Sequence, residues 1–472
     1  MGMDFDVVVI GGGSAGTSAA RAAVAAGART ALVNDGELGG LCILRGCMPT
    51  KAMLESAHAA HEPTRAADLG VRFEGRMVPD FARIMERKDA LVARFQRAKI
   101  ASVEKLGCEL IRGRARFAPG GRLEVDGRTL RARSYVIATG SVPVVPEIVR
   151  QAGVPALTSD DVMRLTEPPG SLIVWGAGPV GLELGQFFAR IGSEVTVVNR
   201  SPLLSRFDPD CGAELAAALN EEDRLRILAP AGVLAVRRDG GAVAVAVETA
   251  GGARQLRAEA LLVATGRRPA LDGLRLELAG VEQRDGAVPH DETMRTSNPS
   301  IYVAGDATGR FQILHLANQE GAVAGHNAAG GTPPQAMDYR LKMWAIFTDP
   351  PFACIGMSAR EVESARAAGR SIACGEARLP ETGRAITMNV RHGIWKLYAD
   401  ATTGEILGSS IVGPRADDLI HIVASLMHFR GSVEDVRRMP WYHPTLSEVM
   451  LNLERSLAEC IRGAEKAPPP PA

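Results

Sequence analysis

No charge of one sign dominates this chain: Lys plus Arg and Asp plus Glu both number 54 across 472 residues. That balance excludes the net field that draws a protein to nucleic acid or to an anionic membrane surface. Nowhere do apolar residues run for the ~20 positions that a membrane-spanning helix needs. The N-terminus passes from Met1 straight into an apolar run at 7–10, with neither the basic start nor the long apolar core of a signal peptide. A soluble, cytoplasmic protein is the expectation. Cysteine is sparse as well: there are seven, an odd number, and only Cys42 and Cys47 lie close in sequence. Such a set is a poor disulfide scaffold, and in a reducing compartment a true pair is more often catalytic or metal-binding.

What the chain does have is apolar runs, glycine turns and alanine-rich helical stretches in repeated succession, the signature of βαβ units on a parallel sheet. The first unit reads as a strand at 6–10, a glycine turn at 11–16, a helix to about 26 and a strand at 29–33. The second reads as a strand at 171–175, a turn at 176–181, a helix to about 191 and a strand at 194–198. Two such units imply two dinucleotide sites. Between them, residues 79–105 read as a long charged helix, followed by short strands around 109–117 and 122–125. Strands at 261–264 and 300–304 are expected to rejoin the first sheet. From about residue 337 the pattern changes to strands at 393–399 and 406–412 and helices at 417–429 and 446–457. The proline-rich end, 466–472, reads as disordered. At ~150 residues per domain, the length suits about three domains.

Four segments carry chemistry. Gly11, Gly13 and Gly16, with Ser14 and Ala15 between them, fit GxGxxG between a strand and a helix. The glycines allow a tight turn, backbone approach to a diphosphate and close helix packing. The following strand ends at Asn34 where an acidic residue usually takes the ribose hydroxyls; Asn34 or Asp35 is the candidate substitute. Gly176, Gly178 and Gly181 repeat the fingerprint, with Val180 inside it. Its second strand ends at Asn199, followed by Arg200 and Arg206. Arginine in place of an acid favours a 2′-phosphate, so NADPH is expected ahead of NADH. The third segment is Gly39-Gly40-Leu41-Cys42-Ile43-Leu44-Arg45-Gly46-Cys47-Met48-Pro49-Thr50-Lys51. Its cysteines can approach one another if the segment is helical with a distorted first turn, where the helix N-terminus lowers a thiol pKa. Two buried thiols or a zinc half-site are the competing uses. Zinc usually adds a second Cys/His pair nearby; none follows, and no metal is expected. In the fourth segment, His443-Pro444-Thr445-Leu446-Ser447-Glu448, a proline-started helix would put Glu448 about one turn past His443, within reach of its imidazole.

Taken in order, these motifs, together with Ala304-Gly305-Asp306, closely resemble the flavoprotein disulfide reductases, which include dihydrolipoamide dehydrogenase, glutathione reductase and mercuric reductase. The resemblance runs from about residue 4 to 457, and Ala138-Thr139-Gly140 and Ala264-Thr265-Gly266-Arg267-Arg268-Pro269 are similar to that family's crossings between domains. It implies an α/β fold of two Rossmann-like dinucleotide-binding domains plus a C-terminal α+β dimerisation domain. Residues 1–146 and 269–336 would form the FAD-binding domain, 147–268 the NAD(P)-binding domain and 337–472 the interface domain. The first fingerprint would hold FAD with Gly40, Thr139, Gly140 and Asp306; the second would hold the nicotinamide nucleotide, with Gly266 at the crossing. Lys51 paired with Glu183 would lie near the flavin, Cys47 would face it, and Cys42 would exchange with substrate. His443, supported by Glu448, would serve the cysteines of the other subunit of a homodimer. The implied substrate is a small dithiol or disulfide of the lipoamide type.

Leu41, Leu44 and Arg45 depart from the family's cysteine stretch, Pro179 stands where a bulky residue often covers the flavin, and Trp441-Tyr442 precede His443 where small residues are common. Mercuric reductase is disfavoured because no metal-binding domain precedes residue 4 and only Cys460 stands near the C-terminus. A glutathione-type reductase, a subunit of a multienzyme complex and a redox sensor are the remaining alternatives.

Overall fold

The computed structural model describes residues 2–465; the 466–472 tail lies outside them. Three sheets organise the chain. The first has the strand order Ile301–Val303, Ala132–Ile137, Phe5–Ile10, Thr30–Asn34, Glu109–Arg112, every pair parallel. Val7, Val8 and Val9 are fully buried, as expected of a strand covered on both faces by helices. The second sheet runs Leu225–Leu228, Glu194–Val198, Ser171–Trp175, Ala260–Val263, Ala156–Leu157, also parallel.

Of the two strands expected to rejoin the first sheet, only Ile301–Val303 does. Ala260–Val263 belongs to the second, where Leu261 and Leu262 pair with Ile173 and Val174. The chain returns after it, along an antiparallel seam in which Arg267–Pro269 pairs with Ser141–Pro143. Outward and return crossings thus lie side by side. The run expected at 109–117 is two strands in different sheets, Glu109–Arg112 and Ala115–Ala118, separated at Gly113, whose φ of +142° turns the chain.

The third sheet is antiparallel, in the order Met343–Ile346, Phe352–Gly356, Ile406–Val412, Ile394–Asp400, Ile372–Arg378. Ala416–His428 and Val449–Glu465 pack on it through Ile420, Val423, Leu453 and Leu457. The last helix begins later than the pattern suggested, because Thr445 and Glu448 bond to each other in the preceding turn. The long charged helix is Phe81–Glu104, capped by Asp80, whose carboxylate accepts from the Arg83 N–H at 3.1 Å. Among the described residues no helix is long and apolar enough to cross a membrane.

One packing relationship sets the site. The helix Cys47–Ala66 buries Met53, Leu54 and Ala57 in a core shared with Phe187 and Phe188 of Pro179–Arg190 and Phe352 of the third sheet. The helix that opens at Cys47 is therefore held in a core it shares with the second and third sheets.

Candidate active site

Both fingerprints fold alike. Gly11 has φ +113° and Gly176 φ +115°, values an L side chain rarely adopts. A Cβ on Gly16 would lie 1.8 Å from the Gly11 carbonyl oxygen, and one on Gly181 would lie 1.9 Å from that of Gly176. Gly13 and Gly178 precede the first turns of Ser14–Ala25 and Pro179–Arg190, so Ser14, Ala15 and Val180 sit where helix N–H groups are unpaired. The two asparagines also correspond. Asn34 Oδ1 accepts from the Gly12 N–H at 2.8 Å, and Asn199 Oδ1 accepts from the Ala177 N–H at 3.1 Å. Their amide groups donate to Gly36 O at 2.9 Å and Ser201 O at 2.6 Å. Each asparagine thus ties a strand end to its glycine turn, and exposed Asp35 is the free acidic group beside the first. Arg200 and Arg206 are both exposed.

The cysteine segment leans against the first fingerprint: a Cβ on Gly40 would lie 2.6 Å from the Gly13 Cα. A short helix, Gly40–Leu44, carries Cys42; the backbone breaks at Gly46, and Cys47 opens the next helix. This is the expected distortion. The two thiols are free, and each shifts the other's pKa. The neighbouring Cys42 thiol lowers Cys47 to about 7, helped by Lys51 and by its own backbone position, against a partial desolvation that opposes the shift. The Cys47 thiol, with partial burial, pushes Cys42 upward. The shifts make Cys47 the more acidic thiol of the two. One turn on, Lys51 Nζ lies 2.6 Å from Glu183 Oε2 and 4.2 Å from the centre of the Phe347 ring. Glu183 is buried, and its other oxygen accepts from the Phe347 N–H at 3.1 Å.

At the domain seam, Gly140 and Gly266 have positive φ, and each carbonyl accepts across the crossing, from Ala270 and Val144 respectively. The Thr139 hydroxyl is buried without a partner among the described residues. Asp306 Oδ2 accepts from the Ser141 hydroxyl at 2.6 Å, and burial raises its pKa. The glycine cradle, the orphaned Thr139 hydroxyl and the half-buried Asp306 together fit a dinucleotide laid across the ends of the first sheet's strands.

His443 stands apart. Its Nδ1 bonds to Glu448 Oε2 at 2.9 Å while the ring is largely exposed; no hydrogen bond among the described residues joins it to either cysteine of its own chain. Tyr442 beside it is 84% exposed. No group of three or more His, Cys, Asp or Glu that could hold a metal occurs among the described residues.

Several partners had no sequence signal because they lie far away along the chain. Arg267 donates to the Ser141 hydroxyl and carbonyl, both at 2.9 Å, and bridges toward Asp160, which also pairs with Arg45 at 3.6 Å. Glu320, fully buried, accepts from the Gly305 N–H at 2.8 Å and the Tyr339 hydroxyl at 2.9 Å, and burial raises it to about 7.

The pattern of the "Pyridine nucleotide-disulphide oxidoreductase" family matches residues 5–321, and that of its dimerisation domain matches 343–453. The chain is 34% identical to a mercuric reductase of Bacillus cereus, over 94% of this chain and 70% of that protein. It is also 34% identical to a dihydrolipoyl dehydrogenase of Thermus scotoductus, over 96% and 97%. A mercuric reductase of Streptomyces lividans is matched over 94% of its own length at 34% identity, so mercuric reductases are not all set apart by a preceding domain. The HOCl-induced flavoprotein disulfide reductase RclA of Escherichia coli superposes with a TM-score of 0.80 at 28% identity, covering 95% of this chain and 99% of that one. Its Cu(II) complex is similar, with a TM-score of 0.81 at 27% identity over 96% and 99%. With paired cysteines at a helix start, two fingerprint turns and both family patterns in place, the chain belongs to the pyridine nucleotide-disulphide oxidoreductases, FAD-dependent enzymes acting on sulfur groups.

Proposed function

We propose that this chain is an NADPH-linked oxidoreductase of a small disulfide or dithiol, working as a homodimer. The observation that carries the reading is the pair of free thiols, Cys42 and Cys47, on either side of the break at Gly46, with Cys47 opening the helix that brings Lys51 to 2.6 Å from the buried Glu183. Gly11, Gly13, Gly16, Gly40, Thr139, Gly140 and Asp306 would hold FAD, and Gly176, Gly178, Val180 and Gly181 the nicotinamide nucleotide. FAD supplies the hydride exchange with nicotinamide and the electron pair for the cysteine disulfide. The residues of the chain do the rest. Lys51 and Glu183 keep one fixed charge arrangement beneath the thiols. Cys42 attacks or releases the substrate sulfur, and its proton passes to an imidazole. His443 of the second subunit is that acid/base, with Nδ1 held by Glu448 so that Nε2 faces outward. Arg200 and Arg206, exposed beside the second fingerprint, would take a 2′-phosphate.

Anaerobic reduction with NADPH and with NADH, followed by a panel of disulfides as oxidants, tests the reading. Fast reduction by NADPH and turnover on a low-molecular-weight disulfide are expected. A wide preference for NADH would remove the assignment of Arg200 and Arg206. Adding Hg(II) or Cu(II) to the panel addresses the second reading, reduction of a thiophilic metal cation, which the mercuric reductase relatives and the Cu(II) complex of the RclA neighbour favour. Turnover on the metal but on no disulfide would establish it instead.

A further inference from the structure

Residues 200–208 join the strand Glu194–Val198 to the helix Pro209–Leu219 and carry both arginines assigned above to the nucleotide. Arg200 and Arg206 are exposed, and neither makes an ion pair or a side-chain hydrogen bond among the described residues. The rest of the segment is the opposite of free. Leu203 and Leu204 are buried in the core. Its near end is sewn to the fingerprint: Asn199 Nδ2 donates to Ser201 O, and the Ser205 hydroxyl bonds to that of Ser201 at 3.2 Å.

The far end is fastened to a different domain. The Phe207 ring lies 5.3 Å from Trp344 and 5.8 Å from Phe352, and its carbonyl accepts from the Ala359 N–H at 2.8 Å. Asp208 is fully buried. One of its oxygens accepts from the Asp210 and Cys211 N–H groups at 3.0 and 3.2 Å, capping the helix. The other accepts from the Tyr398 hydroxyl at 2.6 Å. Lys396 Nζ stands 3.5 Å from Asp208 and 2.5 Å from Asp210. Trp344, Phe352, Lys396 and Tyr398 all belong to the third sheet.

We propose that the third sheet, through Tyr398 and Lys396 acting on Asp208, positions Arg206 for the 2′-phosphate of the nucleotide, so that coenzyme selection is shared between two domains. Asp208 is a positioning residue; it is too deeply buried to touch the nucleotide. A long cationic side chain on a mobile loop loses part of its binding energy to ordering, and a segment fastened at both ends avoids that loss. Arg206 is two residues from the buried carboxylate and next to the aromatic anchor, so a shift at Asp208 moves it directly. The inference rests on the proposed role of Arg206, and its test separates the two.

Tyr398→Phe removes one hydroxyl and keeps the packing. With the full-length holoenzyme, KM for NADPH should rise roughly fivefold to tenfold, the scale of one ordinary hydrogen bond felt through the residue it positions. kcat, flavin content and KM for NADH should stay within about twofold of the parent, the scatter of an uncoupled change. In an Arg206→Ala background the same substitution should have no further effect on NADPH, because the residue it positions is gone. Asp208→Asn, which keeps the acceptor of the helix cap but replaces the acceptor of the Tyr398 hydroxyl with an amide donor and loses the charge facing Lys396, should show the same split. Equal losses with both nucleotides, no change in either, or an undiminished effect in the Arg206→Ala background would overturn the positioning role. If Arg206→Ala alone leaves the NADPH-to-NADH ratio unchanged, the assignment of Arg206 to the phosphate fails first, whatever Tyr398→Phe does.

Discussion

Lys51 Nζ and Glu183 Oε2 meet at 2.6 Å although 132 residues separate them, one on the cysteine helix and the other on the second fingerprint helix. The Glu183 side chain is 4% exposed, so its charge depends on that partner and on the Phe347 N–H. Lys51→Met should therefore lower stability by on the order of 3 kcal/mol in denaturant titration, the cost of leaving a buried carboxylate unpaired. Glu183→Gln should cost less, since the amide keeps the bond from Phe347. A Lys51→Met variant as stable as the parent would remove the ion pair from the account of how the helices are joined.

The thiol pair makes an optical prediction. After two-electron reduction the Cys47 thiolate should give a long-wavelength absorbance with oxidised flavin, and acidification through about pH 7 should bleach it as the thiol is protonated. Cys42→Ser should retain the band without reduction, because Cys47 then has no partner for a disulfide and stays free. Cys47→Ser should lack it. The same band in both variants would reverse or abolish the division of roles.

His443→Ala should slow disulfide turnover by about 10²–10⁴, the usual worth of a positioned acid/base, with reduction of the flavin by nucleotide unchanged. Mixing inactive Cys42→Ser and His443→Ala subunits should restore about a quarter of parental activity, since half the dimers are mixed and each of those holds one intact site. No recovery after verified exchange of subunits would place the acid/base within a single chain.

Pro179 opens the second fingerprint helix, exposed, with Val180 half-buried behind it. Its short, locked ring cannot swing across a flavin as a long aromatic side chain can. The nicotinamide slot should then stand open, with measurable NADPH oxidation by oxygen in the absence of disulfide. Pro179→Tyr should suppress this leak. A parental oxidase rate at background, unchanged in the variant, would count against the open slot.

Glu320 predicts a pH effect on stability. Its carboxyl is raised by burial from an ordinary 4.5 to about 7, so the folded state holds the proton more tightly than the unfolded one. The contribution is complete below about pH 4.5 and is lost as pH rises toward 7, on the order of 3 kcal/mol in all. Glu320→Gln keeps an acceptor for Gly305 and should flatten the difference in melting temperature across that window. An unchanged profile would show that Glu320 is ionised throughout.

The residues near one another in sequence were legible because their chemistry is local. GxGxxG between a strand and a helix dictates its own turn, as the near-equal φ of Gly11 and Gly176 shows, and the break at Gly46 between Cys42 and Cys47 follows from the spacing of the motif. The order of motifs was enough to identify the family and the reaction class. The sequence alone did not assign Ala260–Val263 to the second sheet, because a short apolar run carries no mark of which sheet will pair with it. Nor did it show that Asn34 and Asn199 serve the glycine turns, that Arg45 is drawn toward Asp160, or that Asp208 reaches Tyr398. Those contacts join residues tens to hundreds of positions apart. Hydrophobic packing of whole helices and sheets brings them together, and only then do distance and burial decide which polar group finds a partner and which charge is left free to meet a ligand.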